Sequence, residues 1–449
     1  MTFKSTRKAL LATAVSSAML AGAQSALAAD LDSLSDDDLL ARIEALEKAI
    51  EGKGNVVLNG NKKIKVVVNG QINNAVRYSN NGEDQALQIV DNDASSNRFR
   101  ILGSGKLNDR FSVKTAFEFD LEVNPRDELD VDDDTNLSEQ VSTDANFEIR
   151  KAEAIFVDKL LGSIFLGQGD TASNKSAESD LSGATLAVGD ASFDDDGIDI
   201  VDAAGTIITD VGDVFDPIDG LSRESRIRYE TPSLLGGFKA SASYVSERQY
   251  DAALTYSNKN VGDFSIKGAA AYFAFFDTAA IDPTTNQQSR GFTGSLSALH
   301  KPTGLSLTGG YHNFFDDASA PDAADNFTAW WIKGGWQGKL TSLGKTAFAV
   351  DYMNINGSPE GDDVTNVGSG AAELADAAII LNQIEGFSVG VQLVQKIDKL
   401  STEAFVGYRL FNLDTAFELD ETGGAGVAGN AVGDPESVHI VAAGARVKF

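Results

Sequence analysis

The sequence contains no cysteine, so neither disulfide bonds nor thiolate metal ligands hold its fold together. Beyond the N-terminal segment it lacks any run of about eighteen apolar residues, which excludes membrane-spanning helices. Positive charge is scarce, since 37 Lys and Arg stand against 66 Asp and Glu. The resulting net charge of −29 argues against nucleic acid as a partner.

The sequence also has little that points to catalysis. Its three histidines are His300, His312 and His439, and each lies in or beside a predicted strand. None has a serine or a carboxylate at a recognisable catalytic spacing, and isolated histidines near a membrane interface are most often structural. We therefore predict that the protein is not an enzyme.

The N-terminus has the pattern of an export signal. Lys4, Arg7 and Lys8 precede an apolar run over residues 9–23, and the small-residue motif Ala-Leu-Ala follows at 26–28. The run is short and interrupted by polar residues, so a cleaved signal peptide over residues 1–29 is favoured over a membrane anchor. An exported chain without cysteine needs another source of stability, and a closed hydrogen-bonded sheet would suffice.

Residues 30–54 predict a periplasmic helical segment. Leu39, Ile43, Leu46 and Ile50 follow a 4-3-4 spacing, which is a two-heptad coiled-coil seam. A helix this short is marginal alone, so the seam makes sense where several copies meet. The alternative is a frayed terminal helix.

The stretch FSVKTAFEFDLEV, residues 111–123, alternates between apolar and polar positions, which is typical of a β-strand whose faces meet different media. It runs to thirteen residues, whereas strands of soluble domains usually need only about 5–6. With a tilt near 45° it rises about 30 Å, the thickness of the hydrocarbon core of a bilayer.

Sixteen such segments recur along the chain, joined alternately by short turns and long loops. They are 66–78, 96–106, 111–123, 147–159, 163–170, 225–232, 238–246, 250–257, 264–276, 290–300, 305–314, 327–340, 344–354, 387–396, 401–413 and 438–449. The long loops are predicted at 79–95, 124–146, 171–222, 277–289, 315–326, 355–386 and 414–437. This predicts an all-β fold, a 16-stranded antiparallel transmembrane β-barrel over residues 55–449 in the cell outer membrane. A soluble sandwich or propeller has shorter strands and no reason to separate its loops by length.

Several segments resemble a known family. NGQINNAVRYSNNGED with VDNDASSNRFRI (69–84 and 90–101) and FEIRKAEAIF with FLGQGDTASNKSAESDLSGA (147–156 and 165–184) resemble porins of the alphaproteobacterial type. RIRYETPSLLGGFKASASY (226–244) and the terminal phenylalanine resemble Gram-negative porins more generally. The resemblance implies a homotrimer of sixteen-stranded barrels that passes small hydrophilic solutes passively. The long acidic insertion around 190–219 departs from the pattern.

The same resemblance implies that the third outer loop, residues 171–222, folds into the barrel and narrows it. That loop carries twelve carboxylates and a single cation, Lys175. The carboxylates predicted to line the constriction are Glu178, Asp180, Asp190, Asp194, Asp195 and Asp196.

Arginines occupy the strand positions that would face the lumen. Arg98 and Arg100 flank an outward phenylalanine, Arg226 and Arg228 flank an outward isoleucine, and Arg150 lies beside a suspected bulge. Facing lipid at mid-depth would cost roughly 2–4 kcal/mol for each charge. Our hypothesis is a constriction with a transverse field between these wall arginines and the loop carboxylates. The alternative is that the arginines only neutralise neighbouring wall carboxylates.

The stretch FDDDGID, residues 193–199, offers clustered oxygen ligands at Asp194, Asp195, Asp196 and Asp199. Ca²⁺ takes six to eight oxygens, and the spacing is not that of an EF-hand. A weak structural Ca²⁺ site and a solvated acidic loop are both open, and no other cofactor is predicted.

The function predicted from these features is that of an outer-membrane porin, a passive diffusion channel for small hydrophilic solutes and ions. The alternatives are a substrate-specific channel for a sugar or organic acid, and a structural or adhesive barrel. The expected partners are membrane lipid, lipopolysaccharide, small hydrophilic solutes and two further copies of the chain.

The signal peptide generates a first prediction. Protein purified from outer membranes should begin near Ala29 or Asp30, because cleavage is expected after Ala28 or Ala29. Intact-mass measurement checks this. A mature mass that still includes Lys4 to Lys8 would show that the segment is retained as an anchor.

Overall fold

A computed structural model describes most of the chain. The described residues are 56–58, 64–126, 129–131, 146–188, 197–205, 207–215, 218–246, 249–276, 288–315, 326–357, 379–419 and 434–449. The predicted signal peptide and coiled-coil helix lie outside these ranges and stay predictions. None of the helices in the described ranges is long and apolar enough to cross a membrane.

The described residues are predominantly strand. The strands are β1 (Val56–Leu58), β2 (Lys65–Asn80), β3 (Gln85–Asp91), β4 (Arg98–Lys106), β5 (Phe111–Glu122), β6 (Asn146–Asp158), β7 (Gly162–Asp170), β8 (Asp199–Val201), β9 (Ile207–Asp210), β10 (Arg223–Glu230), β11 (Phe238–Val245), β12 (Tyr250–Val261), β13 (Phe264–Phe276), β14 (Gln288–His300), β15 (Leu305–Phe315), β16 (Asn326–Gly338), β17 (Thr346–Gly357), β18 (Ile379–Ile397), β19 (Thr402–Leu419) and β20 (Val438–Lys448). One short α-helix, α1 (Val211–Phe215), and two 3₁₀ turns, Asp93–Ser95 and Asp398–Leu400, accompany them.

Within the described ranges, sixteen antiparallel strands close into a barrel. Neighbours in sequence pair from β4 through β7, β7 pairs with β10, and pairing continues in order to β20. The ring closes because β20 pairs with β2 from Gln71↔Lys448 to Asn80↔His439. The predicted sixteen-stranded antiparallel barrel is confirmed, and both of its terminal strands begin or end on the side of the short turns.

One predicted loop is wrong. Residues 79–95 are not a loop, because β2 runs on to Asn80 and β3 returns along it after a four-residue turn. After β3 the chain forms a 3₁₀ turn and continues as β4, which pairs with the N-terminal half of β2, Lys65 to Gln71. The alternation in β3 spans only seven residues, too few to stand out beside the Asn- and Gly-rich turn before it.

The two faces of the strands meet different surroundings, as the alternation predicts. In β5, Phe117 and Leu121 point outward and are 46% and 41% exposed, whereas Glu118 and Asp120 face inward and are buried. Large apolar side chains are exposed on the outer face of strands all around the barrel. A continuous exposed apolar belt of this kind is stable only against lipid.

The C-terminal residue completes the closure of the sheet. Phe449 exchanges two backbone hydrogen bonds with Gly70, with N···O distances of 2.9 and 3.0 Å. A Cβ atom at position 70 would lie 2.6 Å from the Arg98 carbonyl oxygen and 2.7 Å from the Phe449 ring. Glycine at this position therefore lets the last residue seal the seam.

Gly70→Val should consequently weaken the barrel. We expect a loss of about 1–3 kcal/mol, the usual effect of overpacking, because neither the backbone nor the ring can move freely. Thermal unfolding of the detergent-solubilised barrel measures it. Gly334→Val is the matched control, since a Cβ there meets no atom within 4 Å. Equal melting temperatures for the two variants would contradict the role of Gly70.

Candidate functional site: an inward loop opposite a basic wall

The chain between β7 and β10, residues 171–222, folds into the barrel; we call it the inward loop. Its first part is fastened to the wall by side chains of β11, β12 and β14. Ser243 Oγ accepts a hydrogen bond from the Ala172 amide at 2.7 Å, and Asp251 accepts two from Ser173 at 2.6 Å. Because these wall groups are buried and hydrogen-bonded to backbone, they fix the path of the loop.

A buried ion pair fastens the next part. Asp180 Oδ2 lies 3.0 Å from Lys333 Nζ of β16, and both side chains are almost fully buried. Next to them, the Gln337 amide group donates a hydrogen bond to the Leu181 carbonyl oxygen at 2.8 Å. Asp180, predicted to line the constriction, is thus placed as an anchor on the wall away from the arginines.

A second buried ion pair holds the inward loop further along. Arg409 of β19 lies 2.8 Å from Asp351 of β17, and its Nε–H donates to the Val188 carbonyl oxygen at 2.9 Å. The pair passes over β18 at Gly390, where a Cβ would lie 2.6 Å from Arg409 Nη2. Glycine in the intervening strand therefore leaves room for the pair.

The remaining part of the inward loop is an apolar plug. It consists of the β8–β9 hairpin, α1 and the residues after them, with Val211, Val214 and Phe215 fully buried. The Phe215 ring packs on Phe411 of β19 with centroids 4.9 Å apart. These residues join one core cluster with side chains of β13 and β15 to β20, and with a few residues of β2, β3 and β11. The plug therefore fills the lumen on that side of the barrel.

The opposite side of the lumen is lined by cations of β4, β6 and β10. This basic wall consists of Arg98, Arg100, Arg150, Lys151, Arg223, Arg226 and Arg228. A register shift opposite Glu118 leaves Arg150 as an extra residue in β6, so that Arg150 and Lys151 both turn inward. The bulge suspected from the sequence is confirmed.

Four of the five predicted wall arginines have carboxylate partners; Arg228 has a long contact of 3.9 Å with Glu230, and the other three are closer. Arg100 Nε lies 2.6 Å from Glu118, Arg150 lies 2.9 Å from Asp120, and Arg226 lies 2.5 Å from Glu153. These contacts fit the alternative in which arginines neutralise wall carboxylates.

Arg98 differs from these four. Its Nε–H donates to Ser96 Oγ at 3.1 Å, and no carboxylate among the described residues lies within ion-pair distance of it. Arg98 therefore contributes a positive charge to the basic wall that is not cancelled by direct contact.

Arg228 and Arg223 stand where the inward loop leaves and rejoins the wall. Arg228 lies over the Phe165 ring at 4.0 Å and donates to the carbonyl oxygens of Asp170 and Thr171, both at 3.0 Å. Arg223, which sequence reasoning missed, lies 3.5 Å from Asp170 Oδ1. Strict alternation along β10 would place Arg223 on the opposite face from Arg226 and Arg228, so the sequence pattern did not assign it to the lumen.

Two carboxyl groups of the inward loop lie together. Burial, and then the nearby Glu178, raise the pKa of Asp219 well above its usual range. A hydrogen bond joins the two side chains, and the Lys175 amide donates to Asp219 at 2.5 Å. Asp219 is buried, whereas Glu178 keeps 30% of its side-chain surface accessible and also lies 3.6 Å from Lys175.

The other predicted loop carboxylates, Asp190, Asp194, Asp195 and Asp196, lie outside the described residues. Asp199 is described, and its amide donates to Asp130 Oδ1 at 3.0 Å. The proposed Ca²⁺ ligands are therefore not assembled within the described ranges, and the site stays a prediction.

A closed transmembrane barrel with an inward loop and a charged lumen defines a class, the outer-membrane channels. A profile of the Gram-negative porin family matches residues 12–372 of the chain. The chain belongs to this family, and it is a diffusion channel of the outer membrane. The narrower alphaproteobacterial type stays a prediction.

Solved structures agree on the fold. The chain is similar to OmpT with loop L8 deleted, an outer membrane protein of Vibrio cholerae, with a TM-score of 0.51 and 12% identity over 86% of this chain and 100% of that chain. It is equally similar to the anion-selective porin from Comamonas acidovorans, with a TM-score of 0.51 and 15% identity over the same shares. No curated protein matches the chain in sequence.

The acid pair generates a prediction about pH. A carboxyl whose pKa is raised in the folded protein keeps a proton that the unfolded chain loses above about pH 4. Stability then falls by about 1.4 kcal/mol per pH unit until the folded group also ionises. Asp219→Asn removes this term, so the melting temperature of the variant should decline less between pH 4.5 and 7.5 than that of the native protein. Asp109→Asn, in an exposed turn, is the control, and identical slopes for all three proteins would contradict the assignment.

Proposed function

We propose that hydrophilic solutes cross the barrel between the basic wall and the first part of the inward loop. The exposure of the charged side chains supports this path. Arg100, Lys175 and Glu178 keep 30%, 47% and 30% of their side-chain surface accessible. On the plugged side, Lys333 and Arg409 are completely buried. Water therefore has access to the basic wall at Arg100 and to the loop residues that face it, although Arg226 of the same wall is buried.

The charges along this path create a transverse field. Cations stand on the wall, and Glu178 faces them from the inward loop. Arg223 interacts electrostatically with both Glu178 and Asp219 across the gap. Dipolar solutes orient in such a field, whereas apolar solutes cannot replace the water that the charges order. The path therefore admits small hydrophilic solutes and disfavours apolar ones of the same size.

The path also favours anions. The wall carboxylates each have a cationic partner, Arg98 has no carboxylate within ion-pair distance among the described residues, and Arg223 has only a 3.5 Å contact with Asp170, which Lys151 also contacts. An excess of cations in a narrow low-dielectric passage concentrates anions there. The net negative charge of the whole chain does not set the ion preference of the path, because charges more than about 8–10 Å from a passing ion are screened at physiological salt.

The working assembly is a homotrimer embedded in lipid. The two-heptad seam in residues 30–54 supports association of several copies, and the resemblance to trimeric porins supports three. The exposed apolar belt supports contact with acyl chains, and lipopolysaccharide is the expected lipid around the long loops. The channel acts by diffusion and without catalysis.

Ion selectivity in planar bilayers tests the path. Arg98→Gln with Arg223→Gln should lower the anion-to-cation permeability ratio at least fivefold, since each charge near 4 Å in a water-like medium is worth about 1 kcal/mol, or a factor of about five. The reversal potential in a KCl gradient measures the ratio. Arg110→Gln is the matched control, because Arg110 is exposed in a turn and bound to Asp158. An unchanged reversal potential in the double variant would reject the field.

A further inference from the structure

The short-turn end of the barrel is strongly basic, although the chain as a whole is acidic. We define this periplasmic rim as the seven short turns, the four strand residues on either side of each, and the matching ends of β2 and β20. Its sixteen cations are Lys65, Lys106, Arg110, Lys114, Lys159, Arg228, Lys239, Lys259, Lys267, Lys301, Lys339, Lys345, Lys396, Lys399, Arg446 and Lys448. Its side-chain carboxylates are six, Asp109, Asp158, Glu230, Asp263, Asp398 and Glu403, to which the α-carboxylate of Phe449 adds a seventh negative charge.

One part of this excess is a cluster around Glu403 of β19. This carboxylate is contacted by Lys396 at 3.2 Å, Arg446 at 2.5 Å and Lys448 at 2.9 Å. Three cations thus share one side-chain carboxylate, and even with the α-carboxylate of the adjacent Phe449 one positive charge is left uncompensated. Lys396 and Lys448 also keep 42% and 46% of their side-chain surface accessible, so both can reach a further anion.

This cationic cluster lies beside the point where the N-terminal part of the chain joins the barrel. Lys448 is opposite Gln71 of β2, and β1 pairs with the start of the same strand at Lys65 to Val67. Four residues of strand separate Val67 from Gln71, which is about 13 Å. The chain before Val56 therefore starts close to the cluster.

That preceding chain carries an acidic segment of matching charge. Residues 30–38, which lie outside the described ranges, read DLDSLSDDD and hold five aspartates and no cation. Seventeen residues connect Asp38 to Val56. They span about 25 Å as a helix and about 55 Å when extended, so the segment reaches the cluster in either conformation.

We propose that the acidic segment 30–38 docks in cis on the cationic cluster formed by Lys396, Arg446 and Lys448. Several aspartates then supply the negative charge that Glu403 alone does not, and the short tether gives them a high effective concentration at the site. The contact is electrostatic and accessible to water, so it weakens as salt is raised.

The contact has a consequence for transport. Lys448, Gln71 and Arg98 stand in one row across β20, β2 and β4. Strands are about 4.8 Å apart, so the docked carboxylates lie about 10 Å from the start of the basic wall. They reduce the excess of cations at the periplasmic mouth at low salt. Docking itself needs only the rim and the tether, and does not depend on the selectivity proposed above.

Disulfide trapping tests the docking. The chain has no native cysteine, so only the two introduced cysteines can form a disulfide within it. Leu34→Cys is combined with Lys399→Cys, which lies in the turn next to the cluster but outside it. The control combines Leu34→Cys with Lys259→Cys, an exposed lysine half-way round the barrel. Both pairs are oxidised in vesicles that contain phosphatidylglycerol, at 50 mM and 1 M KCl.

At low salt the Lys399→Cys pair should cross-link about tenfold faster than the control, and high salt or Asp36→Asn, Asp37→Asn and Asp38→Asn should remove the difference. Equal rates, or rates unaffected by the three Asn substitutions, overturn the proposal. A cross-link between two chains assigns the surface to another copy. Cross-linking in detergent that is lost in the anionic vesicles assigns it to lipid phosphates. Either result overturns docking in cis.

A second measurement uses the unmodified chain. Chymotrypsin cleaves after leucine, and Leu34 and Leu39 lie within or next to the acidic segment. Cleavage there should be several-fold slower at 50 mM than at 1 M KCl. The same comparison with the exposed Leu235 corrects for the effect of salt on the enzyme. A ratio that does not change with salt contradicts the docking even if a cysteine variant fails to fold.

Discussion

The structure depends on one constraint: a backbone in hydrocarbon must find every hydrogen-bond partner within the protein. The pairing of β20 with β2, extended by Phe449 and Gly70, meets it by removing the last open edge of the sheet. Successive side chains of a strand point to opposite faces. Once the ring is closed, each side chain therefore points either outward to lipid or inward to the lumen. Outward positions must be apolar, and inward positions are free to carry charge.

The interior uses this freedom unevenly. On one side, two ion pairs that are almost entirely dry, Asp180–Lys333 and Asp351–Arg409, fasten the inward loop to the wall. Such pairs add little net stability, but breaking one leaves a buried charge without compensation, so they specify a single loop position. On the other side Arg226 is also buried, but Arg100, Arg150 and Arg228 stay partly exposed. The inward loop fills the barrel on the side where it is anchored, so the passage lies along the basic wall.

Much of the architecture can be predicted from local pattern. The sixteen alternating segments and the turns between them can be recognised from local pattern, and strand parity gives the inward direction of Arg98, Arg100, Arg226 and Arg228. Parity fails where the strand is irregular. It missed β3, because its alternation is short, and Arg223, because it lies one residue out of step. The roles of Lys333 and Arg409 were not predicted, because nothing local marks their loop partners 153 and 221 residues away.

The sequence by itself determined the class of fold, the side of each strand that meets lipid, and the acidity of the chain, because each of these is a sum over local positions. Only the tertiary structure decided which charges meet. It paired Asp180 with an anchor, brought Glu178 and Asp219 together, and left Arg98 without a close carboxylate. Electrostatic energy depends on distance through space and on burial, and neither is readable along the chain.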